Sequence, residues 1–345
     1  MAHLDREIAA QPEVAQRLLD REGGRIGRMA ASIRRAGLRS LFVVARGSSD
    51  NAGIYGKYLF GARNRMVTAL AAPSLFTLYQ RPPDLRGQLV LALSQSGESH
   101  DLGQVVAEAG RQGARTLVVT NRPRSPLASA ADHVIPLHAG AERSVAATKT
   151  YTAELLALAM LSAALHGRRA DRRALQRVPA ALAGALAACA GMAPAVERYR
   201  YLERMVVIGR GFNYATAFEL ALKLKELAYV TAEPYSSADF RHGPIAVVQD
   251  GFAVLLIAPG GRTAADQREL IATLEQRRAE LLVISDLRGL LAGARTPLPI
   301  PKGLPEWLSP LACAVPGQLF ARHLAAVRDC PLDTPRGLNK VTRTR

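Results

Sequence analysis

The chain has 345 residues, enough for about two domains of roughly 150 residues each. Its 45 basic and 29 acidic residues give a formal charge of +16, which at first favours a nucleic-acid or membrane-surface partner. However, only six of the basic residues are lysine, the 39 arginines are scattered without a run of five, and aromatic residues make up 5 %. Because stacking platforms for bases are scarce, we expect a solvated basic surface and no nucleic-acid or membrane partner.

The composition also limits the class of protein and its compartment. Hydrophobic residues make up 49 %, which is enough for packed cores, and no run of 18 apolar residues is present. The first 30 residues are rich in acidic side chains and lack an apolar stretch, so we expect no signal peptide and a cytoplasmic location. A disulfide framework or a zinc site is not expected from three widely separated cysteines, Cys189, Cys313 and Cys330.

In chain order, predicted strands alternate with predicted helices. Residues 5–36 have apolar positions at helical spacing and predict one helix. Apolar strands are then predicted at Leu41–Ala45, Leu89–Leu93, Thr116–Thr120 and His133–Leu137. A helix is predicted at Asp101–Gln112, between the second and third of them. Continuous apolar strands between helices predict an α/β fold, a doubly wound parallel sheet with helices on both faces.

The second half of the chain repeats this pattern at a fixed offset of 164 residues. The matching segments are Val43–Gly47 with Val207–Gly211, Leu89–Leu93 with Ala253–Ile257, and Thr116–Val119 with Glu280–Val283. One shift that aligns three strands without gaps predicts tandem copies of one α/β domain. We predict a helical segment at 1–38, a first domain at 39–170, a helical linker at 171–200, a second domain at 201–330 and a tail at 331–345.

Two loops of the first copy combine glycine with hydroxyl side chains. Ser94–Ser99 follows one predicted strand, whereas the matching loop of the second copy, Ala258–Gly261, has no hydroxyl. A strand-to-helix turn directs backbone N–H groups at one point, so the pattern indicates a phosphate site held by neutral donors, or alternatively a simple helix cap. Arg46–Gly53 follows the neighbouring strand, and both loops end at the same edge of the sheet. Neither loop is a dinucleotide fingerprint or a P-loop.

Two features of the second copy are candidates for chemistry. Glu219, Lys223 and Glu226 have the i, i+4, i+7 spacing that places them on one helix face, as either a solvated salt-bridged stripe or part of a site. His242 precedes Gly-Pro in a polar loop, where a core histidine is uncommon, so it is a candidate functional residue.

With these motifs the chain resembles the sugar-isomerase (SIS) family from about residue 40 onward. It is most similar to the isomerase half of glutamine–fructose-6-phosphate aminotransferase and to stand-alone glucosamine-6-phosphate deaminases. The segments that carry the resemblance are Ser94–Glu98, Ala139–Glu142, Val145–Lys149, Glu219–Glu226, His242–Pro244 and Asp333–Lys340. The resemblance implies tandem flavodoxin-like SIS domains, which agrees with the repeat.

The resemblance also implies roles for individual residues. Glu226 is expected to be the isomerisation base, Lys223 its neighbour, His242 the ring-opening residue supplied by a partner subunit, and Lys340 the Schiff-base lysine. The expected substrate-binding residues are Gly47, Ser48, Ser49, Ser94, Gln95, Ser96, Ser99, Val145 and Ala146. A homodimer with shared active sites, a sugar phosphate as ligand, and no metal or organic cofactor are therefore expected.

Residue 2 is alanine and the SIS-like region begins near residue 40, so we expect no glutaminase domain in this chain. The expected activity is therefore a deaminase/isomerase that converts glucosamine 6-phosphate to fructose 6-phosphate and ammonia. Arg46 stands where the synthase has cysteine and Asn339 where it has alanine, which leaves other chemistries open. These are another phosphosugar aldose–ketose isomerase, a fructosamine-phosphate deglycase, a glutamine-independent aminotransferase-like protein, or a non-catalytic sugar-phosphate sensor.

Overall fold

The computed structural model describes residues 1–340, which form two compact units with one five-stranded sheet each. The first-sheet unit comprises residues 13–142, 149–176 and the described residues from 339. The second-sheet unit comprises residues 1–12, 143–148 and 177–338.

The elements follow one another along the chain as two series. Up to residue 166 they are α1 (His3–Ala9), α2 (Gln11–Arg35), β1 (Ser40–Val44), α3 (Ser48–Asn64), β2 (Val67–Leu70), α4 (Ser74–Thr77), β3 (Leu89–Ser94), α5 (His100–Arg111), β4 (Arg115–Thr120), α6 (Pro126–Ser129), β5 (His133–Pro136) and α7 (Lys149–His166). After it they are α8 (Arg169–Leu175), α9 (Val178–Ala188), α10 (Ala193–Val196), β6 (Arg204–Gly209), α11 (Tyr214–Ala228), β7 (Thr231–Ser236), α12 (Ser237–Arg241), β8 (Ala253–Ile257), α13 (Ala264–Gln276), β9 (Glu280–Ser285), α14 (Arg288–Ala292), β10 (Thr296–Pro299) and α15 (Ser309–Val327). Four 3-10 segments lie at Glu197–Tyr199, Gly211–Asn213, Pro244–Val247 and Glu306–Leu308.

The two sheets have the same topology, which confirms the predicted fold. Their strand orders are β2-β1-β3-β4-β5 and β7-β6-β8-β9-β10, and every pairing is parallel. This is the flavodoxin-like order, in which the chain leaves the first strand toward one edge and later crosses back over it. β6 begins 164 residues after β1, so the offset read from the sequence is the spacing of the structural repeat.

Helices cover both faces of each sheet, as the apolar strands require. In the first-sheet unit, α5 packs on the face that presents Phe42 and Val44, and α3 lies on the opposite face, against Val43. In the second-sheet unit, α13 packs on the face that presents Val206 and Ile208, while α11 and α15 pack together and α11 contacts β6 and β7. The central strands β1, β3, β6 and β8 are buried on both sides, which explains their continuous apolar runs.

Two details differ from the sequence prediction. The single helix predicted at 5–36 is wrong, because the helix ends at Ala9 and a new one begins at Gln11. Pro12 lies in the first turn of α2, where its missing N–H is tolerated, but it cannot continue a preceding helix. The edge strands β2, β7 and β10 were not predicted, since each includes exposed and half-buried positions and none forms an apolar run.

Across residues 1–340, no single helix is both long and apolar enough to cross a membrane, and one bent helical pair meets that test by length and composition only.

Candidate active site

The Ser94–Ser99 loop and the loop after β1 both lie at the carboxyl edge of the first sheet. β1 and β3 are neighbours there, and the helices that follow them, α3 and α5, lie on opposite faces. Ligands of open α/β sheets bind at such a switch point, so the fold places both loops where a ligand is expected. Beside the Ser94–Ser99 loop lies a cavity of about 620 Å³ lined by Glu98, Asn121, Arg122 and Ser125, among others.

The serines of this loop shape its backbone. Ser94 Oγ accepts the N–H of Gly97 at 3.0 Å, and Ser96 Oγ accepts the N–H of Glu98 at 3.3 Å. A hydroxyl that accepts such a bond keeps its own proton to donate, so both side chains remain potential donors to a ligand. Gln95 is half-buried, and its carbonyl accepts the N–H of Asn121 at 3.3 Å.

The alternative interpretation of the loop as a simple helix cap gains no support from its geometry. Ser99 is the N-cap residue of α5, but within residues 1–340 its side chain makes no capping hydrogen bond. Glu98 instead pairs with Arg122 at 2.8 Å. The positive end of a 12-residue helix therefore faces the loop, with the Ser99 hydroxyl not used by the cap.

The loop after β1 is tied to the helix after β3 by an ion pair. Arg46 Nε donates to Oδ2 of Asp101 at 2.8 Å, and the Asp101 side chain has no exposed surface, whereas Arg46 is about half exposed. Burial raises the pKa of the nearby Asp50 carboxyl, and the Arg46 guanidinium offsets part of that rise. The arginine that replaces the expected cysteine is thus the counter-ion of a fully buried carboxylate.

The three substrate-binding residues predicted in this loop differ in their accessibility. Gly47 is exposed and adopts φ +57, Ser48 is half-buried, and Ser49 is buried. The Ser49 hydroxyl donates to Oε1 of Glu154 on α7 at 2.8 Å. Because a serine has one proton, this arrangement leaves Ser49 only acceptor lone pairs for a ligand.

Lys340 is held by a carboxylate in the first-sheet unit. Its Nζ lies 3.0 Å from Oε2 of Glu142, whose side chain has no exposed surface. Glu142 also accepts the backbone N–H of Thr150 at 3.1 Å and its hydroxyl at 2.7 Å, and so caps the first turn of α7. One carboxylate therefore fixes both the start of α7 and the amine predicted to form a Schiff base.

Val145 and Ala146 belong to the short 143–148 segment of the second-sheet unit. The N–H of Val145 donates to the carbonyl of Asp333 at 3.0 Å, and Ala146 is fully buried. The carboxylate of Asp333 in turn accepts the N–H groups of His3 and Leu4, both at 2.9 Å. This part of the chain is thus fixed through backbone hydrogen bonds.

The acidic and basic residues of α11 form a buried cluster. Lys223 Nζ lies 2.5 Å from Oε2 of Glu226 and 3.5 Å from Oε1 of Glu219. Lys223 and Glu219 have no exposed side-chain surface, whereas Glu226 keeps 21 % of its own. The alternative of a solvated stripe is therefore wrong. Two carboxylates share one ammonium, and Glu226 is the member of the cluster that reaches solvent.

His242 is exposed, unlike the buried cluster on α11. It ends α12, and its imidazole makes no hydrogen bond to the described part of the chain. Gly243 follows with φ +129, a conformation that favours glycine and turns the chain sharply away from α12.

Several partners of the predicted residues were not found from the sequence. Asp101, Glu142 and Glu154 are buried carboxylates whose partners are 55, 198 and 105 residues away along the chain. Glu142 lies in a recognised motif, which was the one available signal. Over residues 1–340, no group of three or more His, Cys, Asp or Glu side chains is arranged to hold a metal ion.

Comparison with known proteins identifies the family. The SIS domain model matches residues 34–164 and 200–328. The chain belongs to the SIS family. The two matches coincide with the two sheets, so each five-stranded sheet is the core of one SIS domain.

Relatives within the SIS family are named for phosphosugar and amino-sugar chemistry. The chain is 35 % identical to glutamine–fructose-6-phosphate aminotransferase [isomerizing] of Gloeobacter violaceus over 97 % of its own length and 57 % of the relative's. It therefore spans little more than half of that relative. A solved candidate phosphosugar isomerase from Silicibacter pomeroyi DSS-3 is 33 % identical, with a TM-score of 0.87 and coverage of 96 % and 99 %.

A third relative shares the fold at lower identity. The structure of glucosamine-6-phosphate deaminase from Thermotoga maritima is 21 % identical, with a TM-score of 0.79, and covers 99 % of this SIS chain and 100 % of its own. The tandem SIS architecture is thus common to proteins with different names.

Proposed function

We propose that this SIS protein converts glucosamine 6-phosphate and water into fructose 6-phosphate and ammonia. The observation that carries the proposal is the Lys223–Glu226 pair, in which a buried ammonium holds in place a carboxylate that reaches solvent. A carboxylate fixed in this way can remove the proton at C2 of the open-chain sugar and return it to C1.

The proposed reaction balances in two steps. Glu226 moves one proton from C2 to C1, and one proton passes from the amine to the C1 oxygen, so that the C1 aldehyde and C2 amine become a hydroxymethyl group and an imine. Lys340 then attacks the C2 imine and expels ammonia, and water releases the lysine as the ketone forms. The net reaction consumes one water and releases one ammonia.

The other predicted residues receive binding roles in this proposal. Ser94, Gln95, Ser96 and Ser99 bind the phosphate together with the N-terminus of α5, because hydroxyl and backbone donors at a helix start suit an anion. Gly47 and Ser48 border the same edge of the first sheet. Val145 and Ala146 line the sugar, as the family resemblance implies.

The names of the relatives support an amino-sugar substrate but differ on the fate of nitrogen. The Gloeobacter relative is an aminotransferase that acts on fructose 6-phosphate, and the Thermotoga protein is a glucosamine-6-phosphate deaminase. Both names join a hexose 6-phosphate to an amine. A deaminase is the reading that needs no second substrate besides water.

The test is ammonia release from glucosamine 6-phosphate without glutamine. We expect turnover by the natural chain and a loss of about 10²–10⁴-fold in the Glu226→Gln variant, since the base is removed. Glu269→Gln, on the exposed face of α13, is the matched control and should retain activity. Interconversion of glucose and fructose 6-phosphates without ammonia would favour a simple isomerase. If the protein binds hexosamine or fructosamine phosphates but releases ammonia from none of them, the result would favour a non-catalytic sensor.

We also propose that His242 serves the partner subunit of a homodimer as its ring-opening residue. Its exposed imidazole at the end of α12 supports this role. Mixing Glu226→Gln chains with His242→Ala chains should then restore part of the activity, because each mixed dimer contains one intact site. No recovery after verified subunit exchange would argue that His242 acts within its own chain.

A further inference from the structure

A second cavity of the first-sheet unit lies at the opposite edge of its sheet from the candidate active site. It has a volume of about 620 Å³, which is within the range of small-molecule sites, roughly 300–1,000 Å³. Arg39 precedes β1, and Arg65 and Met66 precede β2, so the cavity faces the amino ends of these strands. The carboxyl-edge loops used in the proposed function do not contribute to it.

The lining of this cavity is strongly basic. It contains four arginines and one histidine and no acidic residue, and those five side chains are Arg34, Arg39, Arg63, Arg65 and His166. Its apolar floor includes the buried side chains of Ile33 and Met66. A guanidinium group presents paired donors that match a phosphate, so several of them around one concave surface suit a polyanion.

Two of the arginines, Arg34 and Arg63, make contacts within the chain that explain their presence. Arg34 donates to the carbonyl of Ala164 at 2.6 Å, at the end of α7, where orphan carbonyls need donors. Arg63 forms an ion pair with Asp171 at 2.6 Å, which His166 shares at the same distance. Asp171 is thus the acidic neighbour that offsets part of the local charge.

The other two have no such explanation. Arg39 and Arg65 are exposed, and within residues 1–340 neither guanidinium has a hydrogen bond or an ion-pair partner. Two exposed guanidiniums on one cavity that have no partner in the described chain are available to bind an anion.

The internal repeat shows that the fold does not require these arginines. At the offset of 164 residues, the positions of Arg39, Arg63 and Arg65 are occupied by Glu203, Leu227 and Tyr229. The second SIS domain forms the same sheet with an acidic, an aliphatic and an aromatic residue at these positions. The basic lining therefore belongs to the first domain specifically.

We propose that this cavity binds a small ligand that carries two or more phosphate groups, at a site separate from the active site. Four arginines line the cavity, and a ligand with two or more phosphate groups can use more of their paired donors than a single phosphate can. The concave shape and the volume of about 620 Å³ favour a small molecule over duplex nucleic acid, which needs an extended basic surface.

The test uses inorganic pyrophosphate as the probe, with isothermal titration calorimetry and thermal unfolding of the full chain. We expect saturable binding, a rise in the unfolding temperature, and at least about tenfold weaker binding by the Arg39→Gln/Arg65→Gln variant. Arg268→Gln/Arg295→Gln removes the same charge from exposed arginines of the second-sheet unit and should bind as the natural chain does. A Ser94→Ala/Ser96→Ala variant should also bind pyrophosphate normally, which separates this cavity from the proposed phosphate site.

Three results would overturn the proposal. The first is no saturable pyrophosphate binding by the natural chain, and the second is equal weakening in both arginine double variants. The third is tighter binding of a 20-base-pair duplex DNA than of pyrophosphate, with loss in the Arg39→Gln/Arg65→Gln variant, which would assign the arginines to nucleic acid. None of these results depends on the catalytic activity.

Discussion

The ammonium of Lys223 lies 2.5 Å from Oε2 of Glu226, although Lys223 has no exposed side-chain surface. An ionised lysine without water is costly unless carboxylates compensate it, and Glu219, also without exposed surface, is the second one. With all three groups ionised the cluster carries a formal charge of −1. The excess negative charge is accommodated where Glu226 reaches solvent, since the other two residues of the cluster are buried.

Replacing Lys223 by methionine should lower the free energy of unfolding by about 3–5 kcal/mol, because Glu219 then keeps a buried charge without its ammonium. The Lys223→Met/Glu219→Gln double variant should recover part of that loss. Urea unfolding curves measure both effects. Lys225→Met, two residues further along α11 and exposed, is the control and should change stability by less than about 0.5 kcal/mol. Additive losses in the double variant would show that the two buried groups do not compensate each other.

Ser49 and Ser96 should respond differently to replacement by alanine. Ser96→Ala removes a potential donor to the phosphate, and we expect its KM for glucosamine 6-phosphate to rise about three- to tenfold, the effect of one neutral hydrogen bond. Ser49→Ala should leave KM nearly unchanged and lower the free energy of unfolding by about 1–3 kcal/mol, since Glu154 loses a buried partner. Steady-state kinetics and urea unfolding on both variants separate the roles. A large increase of KM in Ser49→Ala would show that the Ser49 hydroxyl contacts the substrate.

The sequence predicted the fold well because its signals are local. Apolar strands covered on both faces have a characteristic run, and the 164-residue offset repeats that run in order. The spacing of Glu219, Lys223 and Glu226 likewise placed them on one face. Whether that face is buried depends on the elements that pack on α11, among them β6, β7 and α15, and a Cβ at Gly317 of α15 would lie 2.2 Å from Leu220. No local pattern contains that information.

The buried carboxylates were missed for the same reason. The family resemblance implied that Ser49 binds the substrate, but Glu154, which accepts the hydrogen bond from its hydroxyl, lies 105 residues further along the chain. Asp101 reads as an ordinary acidic residue in a helix first turn, and its ion pair with Arg46 forms only when β1 and β3 become neighbours. Local sequence predicts the loop, and the tertiary structure decides which side chains remain available.

Glu142→Gln tests how Lys340 is positioned. The amide oxygen of glutamine can still accept from Thr150, so α7 should keep its cap, whereas the charge that attracts Lys340 is lost. Under the proposed function we expect kcat to fall about tenfold with little change in KM, and borohydride to trap less sugar phosphate on Lys340. Thr150→Val is the control, since it weakens the cap without changing the charge. An unchanged trapping yield in Glu142→Gln would show that the Glu142 carboxylate is not needed to position Lys340.

His323 should make stability depend on pH below neutrality. Burial lowers the pKa of His323 below its ordinary value of 6.5, and the Arg322 guanidinium lowers it further, while Asp5 opposes them. The folded state thus binds a proton more weakly than the unfolded state. The free energy of unfolding should therefore fall as the pH drops through 6.5 and level off below the folded-state pKa.

The comparison for this prediction is His323→Gln, followed by urea unfolding between pH 5 and 8. The variant should show a smaller decrease on the acid side, because the titrating group is gone. Arg322 and Asp5 are unchanged in the variant, so their ion pair contributes equally to the free energy of unfolding of both proteins. Parallel curves for the two proteins would mean that other groups, such as paired carboxylates, cause the acid sensitivity.

Gly97 is the position where the Ser94–Ser99 loop tolerates a side chain least. Its φ is +64, and a Cβ there would lie 2.0 Å from Oγ and 2.5 Å from Cβ of Ser125. Ser125 cannot swing away freely, since its hydroxyl accepts the N–H of Ala128 and caps α6. Gly97→Ala should therefore displace the loop, weaken substrate binding by more than Ser96→Ala does, and lower the unfolding temperature.

The matched control is Gly103→Ala, on α5, where a Cβ would meet no atom within 4 Å. In a helix this change should stabilise the protein by about 0.5–1 kcal/mol and leave KM unchanged. Each variant adds one methyl group, Gly97→Ala before the start of α5 and Gly103→Ala within it. The comparison therefore separates an effect on the loop from an effect on the helix. Equal kinetics in Gly97→Ala and the natural chain would show that the Ser94–Ser99 loop does not bind the substrate, since its backbone cannot keep this conformation with alanine at position 97.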